Sequence, residues 1–431
     1  MTRSSLLWIR GALALVSLFS ALPIVRAAAQ STTDHSAVWI ETVEPDSALA
    51  RAGLLVGDAL SQWQGLEAAG RIRQQGRLTS MADWHRLVHE QAPRGAVRLI
   101  GRRAGAAITF EVQPGPWLAT VRPQLSLELA TAYTNGRKRL QNGERPAAID
   151  AWQAAAEQAI RHGEATAAAW LLRTIGEAHT AARQWQLAQA AYEAARRQTT
   201  TPTGEALLRH AAARAYADQG VMDRATAELE QGLALWHTVP DAELSVAACL
   251  VELAELARRQ RQLERAQSLL DEALASQAAL APGSLAMAES LSLRGTLSFY
   301  RGDLEAAGAS FQQALDLQQR LAPAGLEIAT SHNRLGAVAW RLGRLDEAKG
   351  HFERALAIRQ ALAPNSLDVA GTLNNLALVT QRLSDFDATE AALQRAAALY
   401  QSLAPNTLAQ ANTTTNLGVL ALTRGHLEEA S

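Results

Sequence analysis

Two histidines four residues apart, His85 and His89, with Glu90 directly after them, are the nearest this sequence comes to a metal or acid–base constellation. On a helix that spacing places both imidazoles on one face, as a zinc site requires. A catalytic zinc needs a third protein ligand, none is nearby, and the glutamate follows the second histidine instead of the first as H-E-x-x-H demands. A solvated or groove-lining pair is therefore expected, with no metal and no cofactor. Cys249 is the single cysteine, so no disulfide can close within the chain and no zinc ribbon or finger can start. It is expected as a buried apolar filler in preference to an intermolecular partner. Neither a G-x-x-x-x-G-K-[ST] phosphate loop nor a G-x-S-x-G elbow occurs, so catalysis is not expected within this chain.

What the sequence offers instead is recognition by regularly spaced polar residues. Asn333, Asn374 and Thr415 form one series, and Arg259, Tyr300, Arg341 and Arg382 another, both stepping by 41 residues. Amides can pair with the donors and acceptors of an extended peptide backbone, and a row of guanidiniums favours acidic side chains. Together they imply an extended, acidic protein ligand. A second reading of the same residues has the asparagines tying successive helices together and the arginines solvated. The 431 residues carry 41 Lys+Arg against 42 Asp+Glu, a formal net charge of -1, which disfavours a nucleic-acid partner. Tryptophans 152, 170, 185 and 340 fall at helical spacing and read as packing between helices, not as a platform for bases.

The elements that must position those series are helices. Hydrophobic residues make up 48% of the chain, but aromatics only 5%, and alanine and leucine fill the apolar share. Such a core of small residues favours packed helices over sheets. Pro282, Pro323, Pro364 and Pro405 recur every 41 residues, each preceded by Leu-Ala. Gly302, Gly343, Ser384 and Gly425 share that step and mark helix–turn–helix corners, of which eight are counted along the chain. Within one repeat, Leu335-Gly336, Gly343, Leu345, Ala348, Phe352 and Ala355 alternate small residues, where two helices cross, with large ones that fill the next gap. Gly295, Gly302, Leu304, Ala307, Phe311 and Ala314 follow suit. This pattern resembles the tetratricopeptide repeat, lengthened by about seven residues, or two helical turns. The longer unit is similar to the repeats of kinesin light chains, with Leu373-Asn374-Asn375-Leu376-Ala377 as its hallmark. The resemblance implies a solenoid whose first helices line a concave binding face. The asparagine ladder of the chaperone-binding subclass is absent, since the corresponding positions are Ala337, Leu378 and Val419.

Ahead of the repeats, residues 34–116 read as a small mixed unit. Val38-Trp39-Ile40 predicts a strand, Ser47 to Ala52 a short helix ended by Gly53, and Leu60 with Trp63 a second strand. Met81 to Glu90 predicts a helix through Trp84, Leu87 and Val88. Ala96–Ile100 and Ile108–Val112 predict a hairpin around Arg103-Ala104-Gly105. The run Val43, Pro45, Ser47, Ala52-Gly53-Leu54, Gly57-Asp58 and Leu60 is similar to the signature of bacterial PDZ domains. That resemblance implies a peptide groove between the strand bearing Val38 and Ile40 and the helix bearing Trp84, His85 and Val88, entered by an added strand. Only Gln30 to Ala37 precedes the strand, too little for a carboxylate-binding loop, so capture of a free C-terminus is not expected.

The first segment reads as an address. Arg3 and Arg10 precede an apolar stretch from Gly11 to Val25, and Ala27-Ala28-Ala29 offers a cleavage site before Gln30. The apolar run is shorter than the ~20 residues a spanning helix needs, so a cleaved leader (residues 1–29) is preferred over a retained tether. The mature protein is then expected in the periplasm or outside the cell, with no membrane insertion. At the other end, Glu428-Glu429-Ala430-Ser431 has scarcely begun a second helix, which suggests a fragment of a longer polypeptide. The leader, the PDZ-like unit and the repeats from Leu362 to Leu376 jointly resemble the N-terminal part of bacterial proteins carrying a caspase-like CHAT domain. That resemblance implies a substrate-recruiting role for a peptidase whose catalytic residues lie outside this chain. The expected architecture is mainly α: a right-handed tetratricopeptide-repeat solenoid over residues 117–431, after the small α+β PDZ-like domain. Its expected task is an exported protein–protein interaction scaffold.

Overall fold

A computed structural model describes residues 38–67 and 70–425; the expected leader and the last six residues lie outside them. Its contacts divide the chain into two compact units, one reaching Ala286 and the other starting at Met287. Seventeen helices and one sheet of six strands are found among the described residues.

The sheet opens the first unit. β1 (Val38–Val43) alternates buried and partly exposed residues, as a half-covered strand should, and β2 (Ala59–Leu66) runs antiparallel to it. Between them Ser47 caps α1 (Ala48–Arg51) by accepting from the Ala50 N–H. The Gly57-Asp58 turn is closed by the buried Asp58 carboxylate, which accepts from the Leu55 N–H and from two nitrogens of Arg103 at 2.6 and 2.8 Å. β2 pairs with β3 (Ile72–Arg77) and, on its other edge, with β4 (Val97–Arg103), which forms the expected hairpin with β5 (Ala106–Val112). α2 (Met81–Arg86) is capped by Ser80 and continues through a π turn, Leu87–Gln91, and a 3-10 turn, Ala92–Arg94. Val38, Ile40, Leu49, Leu60, Trp84, Leu87, Val97 and Leu99 form the core beneath it.

Two strands escape the sequence reading. β3 is polar, Ile-Arg-Gln-Gln-Gly-Arg, and carries no alternation to betray it. β6 (Ala119–Pro123) pairs antiparallel with β1, so the sheet order is β5-β4-β2-β1-β6 and the sheet runs past Pro116.

After β6 the first unit contains four helix pairs: α3 (Leu127–Gln141) with α4 (Arg145–Arg161), α5 (Ala165–Ala181) with α6 (Trp185–Arg197), α7 (Pro202–Gln219) with α8 (Met222–Trp236), and α9 (Glu243–Arg259) with α10 (Leu263–Leu280). The second unit holds α11 (Leu285–Arg301) with α12 (Leu304–Leu321), α13 (Leu326–Arg341) with α14 (Leu345–Leu362), α15 (Leu367–Arg382) with α16 (Phe386–Leu403), and α17 (Leu408–Arg424). This is the expected arrangement of tetratricopeptide-like helix pairs behind a small antiparallel sheet. All eight expected corners are present, each turning through a left-handed residue: Gly143, Arg183, Gly220, Arg261, Gly302, Gly343, Ser384 and Gly425. Glycine adopts that conformation without a Cβ penalty; the arginines and the serine hold it against a cost of about 1 kcal/mol.

The helices of a pair meet at one recurring contact, sixteen residues apart in sequence. Where the second helix offers a ring, the first offers glycine: Gly136 under Trp152, Gly176 under Tyr192, Gly295 under Phe311 and Gly336 under Phe352. A Cβ on Gly295 or Gly336 would stand only 2.7 or 2.8 Å from its ring. Where the second helix offers leucine, the first offers alanine: Ala213 with Leu229, Ala254 with Leu270, Ala377 with Leu393, all buried. Ring and glycine thus fill the space that leucine and alanine fill elsewhere, as close packing requires.

Candidate interaction site

First helices of consecutive pairs touch one another, α5 with α7 in the first unit and α13 with α15 in the second, so each unit presents a layer of first helices. In the second unit the accessible stripe of α13 runs through Thr330, Asn333, Ala337 and Arg341, and that of α15 through Gly371, Asn374, Leu378 and Arg382. These steps of three and four residues are one helix face. Asn375 donates to the Asn333 carbonyl oxygen at 3.2 Å, and Asn416 on α17 donates to Asn374 at 3.3 Å. The asparagines therefore do tie neighbouring first helices together. Each pair uses one N–H and one carbonyl, and all four residues remain partly exposed. Asn375 and Asn416 were missed as partners because they sit one residue off the 41-residue step, 42 residues from the amides they meet.

Arg341, Arg382 and Arg259 are the last residues of α13, α15 and α9, where a cation complements the carboxyl end of the helix. Arg341 lies over the Phe299 ring at 5.3 Å, and exposed Tyr300 stands edge-on to the same ring. Arg259 belongs to the first unit and donates to the Ala217 carbonyl at 3.4 Å. Arg382 is exposed. Thr415 is exposed on α17, its hydroxyl donating to Ala411 of its own helix. Beside the stripe, His332 and His351 face each other with their Nδ1 atoms 3.0 Å apart, so at least one must present a bare nitrogen. Burial and the facing ring lower both, His332 to about 4.

The expected peptide slot at β1 is corrected by the sheet itself. Val38 pairs with Leu60 on one side and Pro123 on the other, and Ile40 sits between Val121 and the Asp58 carbonyl. Both edges of β1 are taken, so no strand can be added there. Val38 and Ile40 are core residues at 0 and 2% exposure. Trp84 is buried with its ring 5.9 Å from Trp117, and Val88 packs against the same core. The strand that hides Val38 and Ile40 from a ligand is β6, whose Ala-Thr-Val-Arg-Pro sequence was assigned to the helical region.

His85 and His89 stack with ring centroids 4.0 Å apart, and His85 stacks in turn on Trp236 of α8 at 5.4 Å. Neither solvated nor metal-bound, they are pressed against the helices of their own unit. Among the described residues no group of three or more His, Cys, Asp or Glu is arranged to hold a metal. Glu90 reaches further: its carboxylate accepts from the backbone N–H groups of Leu244 and Ser245, at 3.2 and 2.6 Å, and from the Ser245 hydroxyl at 2.8 Å. α9 begins at Ala242, which has no side-chain oxygen, so Glu90 supplies the cap from 154 residues away. Cys249 is buried in α9 with its thiol on the Leu229 carbonyl, and burial pushes its pKa up. Among the described residues no helix is long and apolar enough to cross a membrane.

Comparison with known proteins agrees with this geometry. The tetratricopeptide repeat family profile matches residues 286–361 and 368–431. No curated protein matches the sequence. Among solved structures, the chain is similar to the apo form of the quorum sensor NprR from B. thuringiensis, with 15% identity over 71% of this chain and 86% of that one and a TM-score of 0.53. It is similar as well to aspartyl phosphate phosphatase F from Bacillus subtilis, with 12% identity over 71% and 82% and a TM-score of 0.51. BtubC (BKLC) from P. vanneervenii aligns at 24% identity over 49% and 84%, with a TM-score of 0.43. Identities this low speak for the repeat fold and its helix-pair packing.

Proposed function

We propose that the chain is a protein-interaction module that takes an extended, acidic segment of a partner protein across the first helices α13, α15 and α17. The observation that carries this reading is the repeated amide pair, Asn333 with Asn375 and Asn374 with Asn416, in register on an accessible face. Packed helices lie about 10 Å apart and an extended chain advances about 3.3 Å per residue, so a ligand crossing the layer meets one amide pair every third residue. The amide functions left over by each pair are a donor and an acceptor, which is what a peptide unit needs. Ala337, Leu378 and Val419 leave room for the ligand's side chains beside the amides. Arg341 and Arg382, at the ends of their helices, then meet carboxylates on one flank. No chemistry of its own is proposed for the module. The leader read at residues 1–29 places its work outside the cytoplasm, which N-terminal sequencing of the secreted form, expected to begin at Gln30, would check. For the ligand, acidic and basic twelve-residue peptides are compared by fluorescence anisotropy. The acidic set should bind, and Arg341→Glu with Arg382→Glu should weaken it at least tenfold. Equal binding of the charge-reversed protein would remove the arginines from the site.

A further inference from the structure

We propose that the segment from Arg86 to Arg94 is a pH-operated latch. At neutral pH it holds the sheet down on the first-helix face of α5, α7 and α9, and under mild acid it lets that face open. The latch belongs to the first unit alone and does not depend on the ligand proposed for α13, α15 and α17. Three contacts define the covered face: β6 packs on α5, α2 on α7 and the π turn on α9. Two fasteners are polar. Glu90 caps α9, steadied by Arg94, which also reaches Glu243 at 3.6 Å, and Arg86 donates to the Pro240 carbonyl at 3.1 Å. Between these fasteners lie the stacked rings of His85, His89 and Trp236.

The charged groups that face the imidazoles are mostly positive. α5 brings Arg173, held by Glu177 at 2.9 Å; α7 brings His210 and Arg214; α8 brings the Trp236 ring; α9 brings Glu252, already paired with His210 at 2.8 Å. The latch itself adds Arg86, Glu90 and Arg94. Two protons placed on rings 4.0 Å apart, beside His210 and Arg173, have a single carboxylate to answer them. Burial first, then these like charges, holds His85 well below its ordinary value and His89 at about 4.

The sign follows from that depression. A released imidazole returns to its ordinary pKa of about 6.5, so the closed latch is at full strength above that pH and weakens as pH falls toward 4. At pH 5.5 His89 alone weakens it by up to about tenfold. Glu90 works the other way: burial raises its carboxyl, so acid favours its closed form. Glu252 is depressed below 4.5 and stays ionised at pH 5.5 in either state. Opening at that pH therefore points to the histidines.

The test is hydrogen exchange on the whole chain at pH 7.5 and 5.5, corrected for intrinsic rates, read at the amides of Leu244 and Ser245. Protection there should fall about tenfold at pH 5.5 while the middle of α4 stays within twofold. His85→Asn with His89→Asn should keep protection at both pH values. If that double variant loses its helical circular dichroism, His89→Asn alone is read, and it should remove most of the pH effect. Unchanged protection in the wild type, a parallel loss in α4, or an undiminished loss in the variants would each overturn the latch.

Discussion

Replacing Gly336 with alanine tests the packing rule on which the helix pairs rest. The new Cβ would lie 2.8, 2.9 and 3.0 Å from three carbons of the Phe352 ring, and that ring is 2% exposed and closed in by its neighbours. Nothing at the far end of a flexible chain can swing away, so the helices must part or the ring must leave its rotamer. Overpacking of this kind costs about 1–3 kcal/mol. Phe352→Leu alone leaves a gap and costs about 1–2 kcal/mol. The double variant recreates the pair that Ala377 and Leu393 already form one repeat later, so its cost should fall short of the sum by at least ~1 kcal/mol. Urea unfolding followed by circular dichroism, with hydrogen exchange of α13 and α14 as the local readout, measures all three. A Gly336→Ala cost under about 0.5 kcal/mol, or strict additivity in the double variant, would refute the reasoning.

Further outcomes follow from the corners and the buried titratable groups. Ser384→Gly relieves a left-handed serine and should stabilise the second unit by up to about 1 kcal/mol, whereas Gly343→Ala should destabilise it by about as much; thermal unfolding reads both. The Cys249 thiol stays protonated and enclosed, so the native protein should resist a thiol reagent at pH 8 and react promptly in urea. His332 is depressed to about 4, so it supports the folded state above its ordinary value and withdraws that support as pH falls below it. The second unit should lose about 1 kcal/mol between pH 7 and 5.5, read by urea unfolding, and His332→Asn should flatten the dependence.

The repeats were legible because their contacts are local and periodic. A 41-residue step carries each corner, each small residue and each ring to the same place, and a single helix pair needs only its own sequence to form. The N-terminal sheet was legible where strands alternate or a glycine forces a turn, as at β1, β2 and the β4–β5 hairpin. It failed at β3, whose polar residues pair by register alone, and at β6, which returns from the far end of the unit to close β1. A long-range pairing of this kind leaves no local pattern, and it turned the predicted ligand slot into core. Glu90 is the sharpest case. As the residue after His89 it suggested half of a metal motif, yet its partner is the uncapped start of α9, recognisable only by what Ala242 lacks. In the interaction site the 41-residue step found Asn333 and Asn374 but not Asn375 and Asn416, because partners across a helix crossing need not share a repeat position.

The account stands most directly on calorimetric titration of an acidic twelve-residue peptide into the wild type and into the Asn333→Ala, Asn374→Ala variant. Losing the amide functions of two pairs should weaken binding at least tenfold, about 1.4 kcal/mol, with circular dichroism unchanged. Binding of equal strength in the two proteins would show that the layer of α13, α15 and α17 is not where the partner lies.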